Sequence, residues 1–298
     1  MDTLLYDNPK TFRKRYFLIF PTMLYTADQT AHLPPEGFKY LLVSLNDHVL
    51  TITLNRPAKK NALNSLMLNE LAFALAYAHH SKAVWLVVLA AAGDTFCAGM
   101  DLKALSLGDS EMATIPEPGG PVRLGELMAS LHKPCIARVQ GSVYAGGFLL
   151  VGGSTYVIAV ESATFSLPEV KRGLFPFQVL DVLLDIMSAR QALDLCLRAR
   201  TLSAADAQAI GLVTEVTPAE ALDETVSRLI EELKQFSPTA MQFGLRAYQQ
   251  LKSLPSSEQQ AGRRSAYLYE QFVQLQQTPD AKEGMSAFIE KRKPNWGK

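Results

Sequence analysis

Cysteine is scarce in this chain, with Cys97, Cys135 and Cys196 the three present in 298 residues. Their wide spacing and odd number build neither a disulfide framework nor a metal cluster, and they point to a reducing, cytoplasmic compartment. An excess of charge of either sign is also missing, since 29 basic and 29 acidic residues give a formal net charge of zero. No domain-wide positive field is offered to a nucleic-acid backbone, so an anionic ligand has to be held by local groups. Long hydrophobic runs are absent as well, and no segment approaches a membrane span. Phe12-Arg13-Lys14-Arg15 followed by Tyr16-Phe17-Leu18-Ile19-Phe20 imitates the opening of an export signal. Asp2 and Asp7 before it, Pro21 after it and its shortness argue against that reading. Histidine is rare too, and the adjacent pair His79-His80 cannot face one way on a helix, so no zinc site is expected. Internal repeats and low-complexity tracts are lacking.

What is present is an ordinary globular composition, 48% hydrophobic and 19% charged, long enough to bury a substantial core. After the linker-like Leu33–Gly37, strand patterns at 40–45 and 48–54 flank a turn placed at Asn46-Asp47. Asn64-Ser65 opens a helical pattern that runs to about His79. The unbroken apolar run Val84–Ala90 reads as a strand buried on both faces. A helix over 124–131, strands at 135–139, 156–160 and 164–166, and a short helix from Gly147 follow. Strands alternating with helices predict an α/β fold with crossover connections. Beyond Val179 only Val213–Val216 reads as a strand, and the rest, such as 219–235, is amphipathic helix. The loop Ser106–Pro121 is long and irregular, in the manner of binding loops.

Three segments carry candidate chemistry. Phe96–Leu102 and Tyr144–Leu149 each place a glycine turn after an apolar run, where backbone N–H groups can point at an anion. Phe165–Glu169 adds a carboxylate among apolar residues, where partial desolvation raises its pKa toward a useful value. Two N–H donors and one carboxylate suffice for proton transfer beside a carbonyl.

With Leu54-Asn55-Arg56-Pro57, Asn61-Ala62-Leu63, Gly141–Gly147, Leu202–Ala207, Gly211-Leu212-Val213 and Glu283–Arg292, these segments resemble the crotonase (enoyl-CoA hydratase/isomerase) superfamily from about residue 39 onward. The resemblance implies a ββα spiral over 39–215, a C-terminal helical trimerisation region over 216–298, and an extension over 1–38. It implies trimers or dimers of trimers acting on acyl-CoA thioesters, with no metal or redox cofactor; coenzyme A is part of the substrate. The enolate oxygen is then expected on the N–H groups of Met100 and Gly146, and Glu169 is the catalytic acid/base.

The resemblance assigns substrate contacts to Ala58, Ala62, Ala98, Gly99, Asp101, Leu102 and Gly147, with Phe288 and Lys291 closing over the nucleotide. Lys59 and Lys60 could meet phosphates, and Phe148, Leu149 and Phe175 suggest an apolar acyl site. One position departs from the pattern: hydratases that resemble this chain carry a second glutamate where Leu149 stands. Water addition benefits from two carboxylates, whereas a double-bond shift needs one base to move a proton from C2 to C4. Isomerisation is therefore the expected activity, with hydration the alternative and a non-catalytic acyl-CoA-binding protein a rival of another class. Phe177 stands where the family's hydrolases have an aspartate, so thioester hydrolysis is not expected. Asp181 and Asp185 read as surface or ion-pair residues.

Overall fold

The computed structural model describes residues 23–34, 37–107, 115–253 and 261–297. The basic-apolar opening at 12–20 and the middle of the 106–121 loop lie outside the described residues.

Strands β1 (Leu41–Asn46) and β2 (Val49–Leu54) form an antiparallel hairpin in which Asn46 faces Val49. The turn is therefore Asp47-His48, one residue later than the sequence pattern suggests, with φ of 43° and 67°. His48 is held there by its ring, stacked 4.0 Å from Trp85, and by a 2.9 Å bond between Nδ1 and Ala83 O. Helix α1 (Ser65–His80) starts where expected, Asn64 accepting a hydrogen bond from Met67 N–H at 3.0 Å. Its Glu70 is 0% exposed. That carboxylate accepts the N–H groups of Lys39 at 2.6 Å and Tyr40 at 2.9 Å, which offsets the cost of burying it.

From here the chain spirals. β3 (Leu86–Ala91) is followed by β4 (Thr95–Cys97), and after α2 (Leu102–Leu107) and α3 (Leu124–Ser130), β5 (Cys135–Val139) is followed by β6 (Ser142–Tyr144). α4 (Gly147–Gly152) leads to β7 (Tyr156–Val160) and β8 (Thr164–Ser166). The first strand of each pair joins a large sheet and the second a small one. α5 (Phe177–Leu184) and α6 (Ala189–Arg198) precede β9 (Thr201–Ser203), and α7 (Ala204–Ala209) precedes β10 (Glu215–Thr217). The large sheet has the order β1-β2-β3-β5-β7-β10 and the small one β4-β6-β8-β9. The apolar run at β3 is buried at all positions, as its sequence demands. The small sheet contains β9, contrary to the expectation of one strand beyond Val179. Three residues are too few to show an alternation.

Helices α8 (Leu222–Leu233), α9 (Pro238–Ser253), α10 (Ala261–Gln276) and α11 (Pro279–Ile289) complete the described chain. They leave Tyr269, Phe272, Phe288 and Ile289 exposed. No helix among the described residues is long and apolar enough to cross a membrane, and no described group of His, Cys, Asp or Glu is arranged to hold a metal ion. His79 and His80 nevertheless sit closer than helix geometry alone suggests, with ring centroids 4.8 Å apart and rings nearly perpendicular.

Candidate active site

The small sheet positions the candidate groups. β4, β6 and β8 are adjacent and parallel, with Cys97 beside Val143 and Tyr144 beside Ser166. Their C-terminal ends run into Gly99-Met100, Ala145-Gly146 and Pro168-Glu169 respectively. Ligands of α/β sheets bind outside such strand ends.

At the first end, the chain is registered against residues 60–63. Ala98 N–H donates to Lys60 O at 3.0 Å, Leu63 N–H to Gly99 O at 2.8 Å, and Asp101 N–H to Leu63 O at 2.9 Å. Leu63 and Met100 thus form a parallel bridge, a pattern that bonds the neighbours of Met100 and turns its own N–H away. Gly99 takes φ of 84°, and a Cβ there would lie 2.6 Å from Ala145 Cβ and 3.1 Å from Gly146 N. Glycine is required on both counts.

At the second end, Ala145 adopts φ of 50° and donates to Ser166 O at 3.1 Å. Gly146 then caps α4, and a Cβ on it would be 3.7 Å from Met100 N. Neither Met100 N–H nor Gly146 N–H has a hydrogen-bond partner among the described residues. Two unpaired donors therefore stand side by side. α4 has six residues, so its dipole adds little to these direct donors. Gly147 serves packing: a Cβ there would lie 2.9 Å from Cys97 Cβ.

At the third end, Glu169 opens a 3-10 turn that Gly173 closes at φ of 72°. Its Oε2 is buried and has no hydrogen-bond partner among the described residues. Burial pushes its pKa above the ordinary value, against weaker pulls from its own backbone and from Arg172. No ion pair to Lys171 or Arg172 forms, so the carboxylate is held for neither neighbour. Cys196 on α6 lies close by, and burial followed by the Glu169 charge pushes its thiol up to about 11.

Leu149 is the third residue of α4, is 5% exposed, and reaches Gly125 of α3, where a Cβ would be 3.8 Å from its Cδ2. Asp101 is the other acid near the donors. Its 2.7 Å pair with Arg56 holds its carboxyl below the usual range, and Ala104 N–H donates to it at 3.2 Å. Arg56 thus balances its charge. Cys97 is buried, which pushes its thiol up to about 12, and its Sγ donates to Asn61 O at 3.3 Å.

Two residues that the sequence offered only as parts of a motif prove to be supports. Asn61 donates from Nδ2 to Ala92 O and Thr95 O, both at 2.8 Å, and accepts from Arg56 N–H at 2.9 Å. Arg56 in turn reaches Ala62 O at 3.1 Å. Together they fasten the 56–63 segment to β4 and so set the bridge at Met100.

The chain matches the family model described as enoyl-CoA hydratase/isomerase over residues 44–298. The chain belongs to the enoyl-CoA hydratase/isomerase family. An enoyl-CoA hydratase of Mycobacterium tuberculosis is 34% identical over 269 residues, covering 86% of this chain and 95% of the relative. A 2,3-dehydroadipyl-CoA hydratase of Escherichia coli is 31% identical, covering 86% and 98%. The crystal structure of an enoyl-CoA hydratase from Mycobacterium tuberculosis superposes with a TM-score of 0.76 at 30% identity, covering 86% and 98%. The α/β crotonase fold, with its two mixed sheets and C-terminal helices, is thereby established, as is the enzyme class.

Within that family frame the remaining expected contacts divide. Ala62, Ala98 and Gly99 flank the Leu63–Met100 bridge, while Ala58, Lys59, Lys60 and Leu102 are exposed. Phe288 is 85% exposed and Lys291 is exposed too; α11 packs chiefly on α9 and α10, so the single chain does not bring them to the strand ends. Phe177 is exposed with its ring 4.9 Å from Phe175. Asp181 is exposed and Asp185 pairs with Lys252.

Proposed function

We propose that this family member moves a proton along an enoyl-CoA, with Glu169 as its acid/base and the N–H groups of Met100 and Gly146 as its oxyanion hole. Glu169 takes the proton from C2 of a 3-enoyl thioester. The electron pair shifts onto the thioester oxygen, held by the two donors, and collapse of the dienolate returns the proton to C4. A single preorganised donor in such a site lowers the barrier by roughly 3–4 kcal/mol. The observation that carries the double-bond shift is Leu149, buried and apolar where a water-handling carboxylate would stand, while Asp101 is already committed to Arg56.

Hydration is the second reading, and the names of the relatives favour it over isomerisation. Both curated relatives quoted above are named as hydratases. The two readings separate on supplying a 3-enoyl-CoA and a 2-enoyl-CoA in turn while following conjugated-thioester absorbance. A rise with the first is the expected result. A fall with the second alone would replace isomerisation by hydration, and no change with either would overturn both. Leu149→Glu in the same assay shows whether position 149 limits water addition. The proposal includes a spiral over 39–215 bearing the site, a helical region over 216–298 that assembles trimers or dimers of trimers, and a reducing, cytoplasmic setting. The exposed aromatic residues of α10 and α11 support the assembly.

A further inference from the structure

At the far end of α1 from the site, a cavity of about 590 Å³ lies between residues 23–27, the end of that helix, and α9. The volume is that of a small-molecule pocket. α1 has 16 residues, about 24 Å at 1.5 Å per residue, so this cavity shares no group with Glu169. Residues 23–27 also precede the family match, which begins at 44. We propose that this cavity binds a phosphate-type anion, free or as a monoester, through His79, His80, His132 and Arg246.

Three imidazoles meet there, His79 lying 4.8 Å from His80 and 5.6 Å from His132 between ring centroids. His79 Nδ1 faces Leu131 O at 3.2 Å and His80 Nε2 faces Tyr25 O at 3.1 Å. Each bond fixes a ring, and the Ser130 backbone holds His79 as well. His132 is held at φ of 52°, a conformation uncommon outside glycine, and neither of its ring nitrogens has a hydrogen bond among the described residues. Arg246 lies 4.5 Å over the Phe243 ring and donates to Gln271 at 2.9 Å. It has no carboxylate partner among the described residues.

Two carbonyls at this helix end are already bonded. Lys133 donates to Ala78 O at 2.5 Å and to Ser81 O at 2.6 Å, which also offsets the negative end of α1. The chief charged groups acting on His79 are His80 and Lys133, and those acting on His132 are His79 and Arg246. Every one is a base. Two acids border the set, Glu117 acting on Tyr25 in the cavity wall and Glu270 acting on Tyr267, which Arg246 also faces, but neither is among the groups acting on His79 or His132. Burial and these neighbours push His132 down to about 4 and His79 below its ordinary value. An anion supplies the missing counter-charge, raises both values and is bound together with protons, so affinity rises as pH falls. Tyr25, Met23 and Phe243 offer apolar walls to the body of an ester.

Titration calorimetry on the full chain with inorganic phosphate and with adenosine monophosphate, at pH 6 and pH 8, tests this. Binding is expected at pH 6 and at least about ten-fold weaker at pH 8. Arg246→Gln and His132→Asn should each weaken it about ten-fold or more, while Arg246→Lys keeps part of it and Glu169→Gln all of it. Asparagine tolerates the backbone at 132, which guards against misfolding. Phosphate binding alone assigns a free ion, and tighter binding of the nucleotide assigns an ester. No heat from either probe at millimolar concentration, or affinity unchanged in both of the weakening variants, would overturn the proposal. Loss of turnover in Glu169→Gln with phosphate binding intact separates this site from the catalytic reading.

Discussion

Strand β3 of the large sheet has six residues, all of them buried, whereas β4, β6 and β8 of the small sheet have three each. The first carries no candidate chemistry. The second carries at its strand ends Met100, Gly146 and Glu169. A long strand buried on both faces supplies apolar area and hence stability. A short strand supplies position: it fixes where the next two or three residues leave the sheet and little else. Stability and chemistry are thus spatially separate here, and substitutions should be able to damage one while sparing the other.

The largest effect expected is on chemistry. Glu169→Gln should lower kcat by about 10²–10⁴-fold, the usual worth of a positioned acid/base, with the far-ultraviolet circular dichroism unchanged. Turnover at the wild-type rate would mean that Glu169 is not the base. The converse substitution is Leu89→Ala in β3, where the side chain is 1% exposed. It should cost roughly 2–4 kcal/mol in urea unfolding and leave kcat of the folded enzyme within about two-fold. A comparable loss of kcat would show that the sheets are not independent.

The smallest effect is a pH-dependent one that links the two regions. Burial raises the pKa of Glu169, so between its ordinary and its raised value the folded protein binds the proton more firmly than the unfolded chain does. Stability contributed by this group therefore falls as pH rises through that window, and the cost is constant above it. Glu169→Gln should accordingly melt higher than wild type at neutral pH, by of order 1 kcal/mol, the low end for a buried unsatisfied polar atom. The gain should vanish in acid below the ordinary carboxylate range. The base form needed for turnover is lost in the same direction, as pH falls through the raised value.

The same contrast governs what could be read in advance. The boundaries of β5, β7 and β8 were legible in the chain, and so was the start of α1 at Asn64, because apolar runs and a capping residue leave local signatures. The order of the small sheet was not, since β4, β6 and β9 are too short for a period to show. Gly99 and Gly146 were legible as glycines, but their contact comes from the pairing of β4 with β6, which no local pattern encodes. Asn61 and Arg56 could be seen in the sequence as letters of a motif. Their task, bonding 56–63 to β4, depends on residues 31 to 45 positions away. The turn at Asp47-His48 was displaced from its expected place by Trp85, again a distant partner.

The parallel bridge between Leu63 and Met100 has an evolutionary consequence. The donor it presents is main chain, so almost any codon at position 100 other than one for proline still encodes it. On the proposed mechanism, selection on that half of the site acts on the glycine and the bridge that aim the amide, and the side chain at 100 is free to vary. Position 169 has no such latitude. On that mechanism, a lineage with this architecture can vary the residue at 100 far more readily than the carboxylate proposed to move the proton.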